Sequence, residues 1–379
     1  MMENIMVKKI RALLLMLVIS TLSGCWSTQE IDYIDRELKV TPLDFSHVID
    51  DNEEIYSIQE IHNDKLYLSV FDYENMGEII KTKLAVLDFE SLDIISKEPT
   101  GDNLISLSIA EWDDVTYALL SYSIEMEEGD DSYRVKTILL KDWDTEQQSV
   151  VLEIATLPMS QSNRLVKTDN GLFFLINSID FYNILYQITD SVEIAWQSQM
   201  TETSMAIPDG LLSNGNDITL INISFEYYGS FVSTQLLYSA EDTLDTSPWM
   251  EGEFRSALPI RDRIFVTEIR SEFEEENYYW YHPSDKTFKL IDTEERVPIY
   301  FVNFLNQNTW LGFSSDYELK MAQISSRYEI KTRNLKEEIG LQEIIGLQVI
   351  AEDQFIVVGS NTPFSDRRDV EFYLIEFVK

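Results

Sequence analysis

Polar turn residues and apolar runs alternate along this chain with a long period. Asn63-Asp64-Lys65 precedes one run, and six more follow Asp113-Asp114, Asp169-Asn170-Gly171, Asn214-Gly215-Asn216-Asp217, Arg261-Asp262-Arg263, Asn306-Gln307-Asn308 and Glu352-Asp353-Gln354. The residues that open the seven runs are Leu66, Val115, Leu172, Ile218, Ile264, Thr309 and Phe355, spaced by 49, 57, 46, 46, 45 and 46 positions. Each run is short and rich in β-branched and aromatic residues, so it reads as a strand bounded by turn chemistry. A second strand follows each run, a shorter one often follows that, and another precedes each turn. Helical spacing is confined to one turn around Lys336 to Leu341.

Four short strands recurring about every 46 residues predict an all-β chain, and specifically a β-propeller of seven four-stranded blades. A β-sandwich or barrel with regular strand spacing is the alternative. An extended acidic hairpin tip, Glu125 to Asp131, accounts for the long step in the second copy. The last copy ends without an outer strand, while residues 37–45 precede the first copy unpaired. The ring is therefore expected to be closed by this N-terminal strand, which would satisfy the backbone groups of an open edge.

The first 25 residues carry an address. Lys8, Lys9 and Arg11 precede an apolar run from Ala12 to Leu22, followed by Ser23, Gly24 and Cys25. At 1.5 Å per residue this run covers only about half of a ~30 Å hydrocarbon core, so it reads as an export signal and not a stable span. Leu22-Ser23-Gly24-Cys25 resembles the lipobox of bacterial lipoproteins. That resemblance implies cleavage before Cys25, the chain's one cysteine, and a diacylglyceryl group such as palmitate on its thiol. The expected organisation is a signal peptide over 1–24, a tether over 25–36 and a propeller domain over 37–379, held on the extracytoplasmic face of a membrane. Cys25-Trp26-Ser27-Thr28-Gln29-Glu30-Ile31 is also similar to the start of the lipoprotein C subunits of spore germinant receptors, a family whose body is mixed α/β.

Charge narrows the partners. With 29 Lys and Arg against 67 Asp and Glu, the formal charge is −38, and losing Glu3, Lys8, Lys9 and Arg11 with the signal makes it −40. Nucleic acid is excluded as a partner, because phosphate binding needs clustered cations. One cysteine and three histidines do not make a structural zinc site or a disulfide framework, and no segment has the spacing of a calcium loop. No cofactor is expected. Nucleophile-elbow, zinc-protease and phosphate-loop motifs are absent, and His62 and His282 read as structural.

Two surface stretches stand out as candidate partner contacts: Glu125, Glu127, Glu128, Asp130 and Asp131 at the acidic tip, and Glu274, Glu275 and Glu276 leading into Tyr279 and Trp280. For each, a solvated charged loop or aromatic packing between blades is the structural reading. The function expected is a non-enzymatic binding or assembly module, a monomeric ring presenting loops and channel to an envelope protein, peptide or glycan. The alternative is a hydrolase or lyase acting on an extracellular glycan or peptide, since fold does not fix chemistry. Ionisable residues converging on one channel mouth would favour the enzyme.

Overall fold

The computed structural model describes residues 32–74, 78–100, 103–124, 134–156, 164–178, 182–199, 204–214, 217–226, 232–240, 243–270, 275–293, 296–360 and 370–378. Within them the chain forms seven separate antiparallel sheets arranged as a ring. Six are built from consecutive strands, spanning 53–99, 103–156, 166–199, 204–251, 253–291 and 300–334, here called blades 1 to 6; each has four strands except blade 4, which has five because its outer strand is split. Blade 7 combines three strands within 343–377 with Leu38–Leu43 from the other end of the chain. The sandwich and barrel alternatives do not describe seven sheets of this kind. The mixed α/β body implied by the germinant-receptor resemblance is not found either. The helical content among the described residues is one turn, Lys336–Ile339, at the position the sequence marks.

The repeat in the sequence corresponds to one structural feature. In every blade the first two strands are joined across two residues, as the pairings His62 with Lys65, Trp112 with Val115, Thr168 with Gly171 and Ile260 with Arg263 show. Asn214 with Asp217, Asn306 with Thr309 and Ala351 with Gln354 complete the set. Asn63 and Asp64 have φ of 48° and 58°, and Asp113 and Asp114 have 50° and 60°. These are the left-handed conformations that a tight hairpin needs and that Asn and Asp tolerate. In blade 3 the geometry instead requires Gly171, whose φ is 138° and where a Cβ would lie 2.4 Å from the Ile188 carbonyl oxygen.

The apolar runs that open each repeat become second strands, and both of their faces are covered. Leu172, Phe174 and Ile176 pack toward blade 2, while the alternate residues Phe173 and Leu175 pack toward blade 4. Period-two alternation places successive side chains on opposite faces, so a strand between two neighbouring blades is apolar throughout. The described residues contain seven buried clusters, each bridging one pair of adjacent blades. The core is therefore distributed as seven wedges around a channel.

Closure occurs as the end strands anticipate. Leu38–Leu43 pairs antiparallel with Val370–Phe377, from Leu38 opposite Phe377 to Leu43 opposite Phe372. Chain packing starts earlier than this strand. Tyr33, placed in the tether by the sequence, is buried between blades 6 and 7, stacked edge-on against Phe377 at 5.2 Å. Blade 4 departs from regularity because its outer strand is broken around Pro248. Thr243–Thr246 and Met250–Glu251 both pair with Val232–Ala240 on either side of the interruption, where proline has no amide to donate.

Candidate functional site

Antiparallel topology sorts the connections onto two sides of the ring. The two-residue turns and the links between third and fourth strands share one side, here the turn side; the other connections share the opposite, loop side. Just below the turn side, the first strands of blades 1, 2 and 7 and the chain entering blade 3 line an open cavity of about 430 Å³. Its ionisable lining consists of Glu60, His62, Glu111, Arg164 and Lys167.

A bulge in the first strand of blade 1, between Ile58 and Glu60, directs Gln59 and Glu60 to blade 2. Gln59 Oε1 accepts the Leu107 amide at 2.9 Å. Glu60 Oε2 accepts the Ile109 amide at 3.1 Å and the Ser108 hydroxyl at 3.3 Å. Its Oε1 accepts the Ile61 amide at 3.1 Å and Gln348 Nε2 of blade 7 at 3.4 Å. The Ser108 Oγ in turn accepts the Leu165 amide of blade 3 at 3.2 Å. These side chains replace the backbone ladder that neighbouring blades cannot form with each other, and they hold four blades in register around the cavity.

Burial raises the Glu60 carboxyl above its ordinary range, against the amides of Ile109 and Ile61 and the charge of Arg164. Burial likewise lowers the His62 imidazole, against the attraction of Glu111, so His62 is neutral at pH 7. Its Nε2 lies 3.5 Å from Glu111 Oε1, too far for a strong hydrogen bond, and has no hydrogen-bond partner among the described residues. Glu111 is held below the usual carboxylate range, first by Asn63 Nδ2 donating to it at 2.8 Å. Arg164 and Lys167 make no side-chain hydrogen bond or ion pair among the described residues.

A second charged cluster lies at the seam where the closing strand passes into blade 1. The Glu53 carboxylate, with 0% exposure, receives Lys83 Nζ at 2.5 Å and also Lys97, while the Asp50 amide donates to it at 2.9 Å. Lys83 also meets Asp72 at 2.9 Å, and Lys97 donates to the Val48 carbonyl at 2.9 Å. Burial acts against ionisation of Glu53, but the two lysines and the amide outweigh it and hold its pKa below the ordinary value.

The residues singled out in the sequence have other fates. Cys25 and the tip residues Glu125, Glu127, Glu128, Asp130 and Asp131 lie outside the described residues, as does Glu274. The described strands flanking the tip, Val115–Ile124 and Arg134–Lys141, end and restart on the loop side. Glu275 opens the third strand of blade 5, and Glu276 accepts the Tyr278 hydroxyl. Tyr279 and Trp280 form no exposed platform: at 9% and 6% exposure they belong to the wedges toward blades 4 and 6 respectively. Tyr279 donates to Glu268 at 2.8 Å, and Trp280 packs edge-on against Tyr328 at 5.2 Å. Successive residues of a strand sandwiched between blades are both covered, which explains why this aromatic stretch is structural.

No family model and no curated protein matches the chain. Among solved structures it is similar to the β-propeller domain of the Trilobed protease from Pyrococcus furiosus, with 9% identity over 87% of this chain and 96% of that one and a TM-score of 0.53. That domain is described as having an open velcro topology, whereas here Leu38–Leu43 joins the ends. Looser likenesses are to an acylaminoacyl peptidase of Pyrococcus horikoshii (12% identity, 78% of this chain, 48% of that one, TM-score 0.40) and to the C-terminal WD40 domain of Sif2 (13%, 89%, 84%, 0.44). At such identities the likeness establishes fold alone. The chain is a seven-bladed β-propeller.

Proposed function

We propose that the protein is a lipid-anchored extracytoplasmic binding module whose ligand site is the channel cavity between blades 1, 2, 3 and 7. The observation that carries this reading is the pair of cations Arg164 and Lys167, which line the cavity without a side-chain hydrogen bond or ion pair among the described residues, in a chain of charge −38. Groups suited to proton transfer are largely engaged: both Glu60 oxygens accept hydrogen bonds, and Ser108 is tied on both sides. The groups left open are the two cations and one ring nitrogen, His62 Nε2. The anchor reading rests on the lipobox at Cys25. The closing strand begins on the turn side, the side on which the cavity lies. The acidic stretches 125–131 and 272–276 of the sequence remain the candidate contacts for a basic partner, whose binding salt would weaken.

Membrane fractionation tests the address. Cys25→Ser is expected to release the protein from membranes or leave its signal uncleaved; a mutant that fractionates and migrates as wild type overturns the anchor. The enzyme reading is favoured by one observation, the neutral His62 and the raised Glu60 carboxyl facing one cavity. Incubation with peptide and glycan panels decides it: turnover that disappears in both His62→Asn and Glu60→Gln would establish catalysis.

A further inference from the structure

The cavity carries charges of both signs on different blades, and that combination names a ligand class. Blade 3 contributes Arg164 and Lys167, both cationic. Blades 1 and 2 contribute Glu60 and Glu111. Of these carboxyls Glu60 has both oxygens taken by donors within the ring, whereas Glu111 has Asn63 as its hydrogen-bond donor, and a carboxylate has acceptor capacity beyond one such bond. His62 Nε2 adds an unpartnered polar atom beside it.

Two kinds of small ligand are worse matches than a third. A simple anion would satisfy Arg164 and Lys167, yet it would approach against the field of the whole chain and meet Glu111 on arrival. A simple cation would be drawn in by that field and then meet two unpaired cations. A zwitterion has no net charge, so the long-range field neither repels nor attracts it. At contact range, where screening over about 8 Å matters least, it finds both signs. The volume of about 430 Å³ falls within the range of small-molecule sites.

We infer that the cavity binds a small zwitterion carrying one carboxylate and one ammonium group, as in a free amino acid or a short peptide with free ends. The carboxylate is received by Arg164 and Lys167 and the ammonium by Glu111. This inference rests on the proposed binding function of the same cavity and specifies its ligand.

Calorimetric titration of the mature lipidated protein in detergent, with L-alanine, alanyl-alanine, propionate and ethylamine as probes, separates the two claims. At least one zwitterion is expected to saturate below about 10 mM and to bind at least about tenfold more tightly than propionate or ethylamine. Arg164→Gln should weaken both the zwitterion and propionate, whereas Glu111→Gln should weaken the zwitterion and spare or strengthen propionate. That opposite response is not expected of a merely structural defect, and an unchanged thermal transition in both variants confirms the fold. Propionate binding as tightly as the zwitterions would overturn the ligand class and leave the cavity as a binding site. No saturable binding of any probe would overturn the ligand class and also remove support for the cavity as a small-molecule site.

Discussion

Two charged clusters in this ring, built from similar residue types, have opposite character. At the seam, Glu53 is fully withdrawn from water and meets two lysines and an amide, so every charge has a partner and the cluster is closed. In the channel, Glu60 is saturated by its neighbours while Arg164 and Lys167 are exposed and make no side-chain hydrogen bond or ion pair among the described residues. A satisfied buried network holds elements together and offers nothing to a ligand. An open one, whose charges face solvent, contributes little to stability and leaves those charges accessible.

The largest expected effect is at the seam. Deleting residues 38–43 removes the outer strand of blade 7 and disconnects Phe45 and Val48, which are buried against Phe372 and Ile55 in the wedge between blades 7 and 1. Total stabilities are about 5–15 kcal/mol, so we expect the cooperative thermal transition to be lost and dye-accessible apolar surface to appear. A sharp transition near that of the intact protein would show that the ring does not depend on its closing strand.

Breaking the closed cluster comes next. Glu53→Ala leaves Lys83 and Lys97 facing each other without their shared carboxylate and should cost about 3–5 kcal/mol in denaturant unfolding. Replacing both lysines by Met in the same background should recover a substantial part of that loss. A Glu53→Ala protein within about 0.5 kcal/mol of wild type would mean the network is not closed in solution.

The two glutamates also predict pH dependences of opposite sign. Glu53 has a folded pKa below its unfolded value, so its stabilisation is complete above the unfolded value and disappears as pH falls through the folded one. Glu60 has a folded pKa above its unfolded value, so its cost to stability grows as pH rises from the unfolded value through the folded one. Stability measured against pH should therefore fall less steeply under acid in Glu53→Gln. The decline on raising pH above the ordinary carboxylate range should flatten in Glu60→Gln. Identical slopes in both variants and wild type would contradict the assignment.

The smallest effect is expected in the open cluster. Arg164→Gln or Lys167→Gln should change unfolding free energy by no more than about 0.5 kcal/mol, because both side chains are exposed and neither has a hydrogen bond or ion pair to lose among the described residues. A loss above about 2 kcal/mol from either would show that these cations hold the ring together, and the contrast with the seam would fail.

Much of the architecture could be read from the chain. Tight hairpins need specific residues, so Asn63-Asp64 and Asp113-Asp114 announce their turns locally, and the runs after them are apolar because blades cover both of their faces. The unpaired strands at the two ends likewise anticipated closure, since an edge needs a partner. Aromatic composition was a poorer guide, because Tyr279 and Trp280 look the same in sequence whether they form a platform or a wedge between blades.

The cavity was not legible in this way. Glu60 and Glu111 are separated by about one repeat and Gln348 lies near the far end of the chain, and no short motif links them. A β-bulge at Gln59 and the ring geometry bring them together, along with Arg164 and Lys167. By itself the sequence determined the strand repeat, the blade count, the closing strand and the net charge, because these depend on local turn chemistry and on period-two burial. Only the tertiary structure decided which few of the many charged side chains share a cavity and which of those remain unpaired, because partners in a ring are chosen across blades and not along the chain.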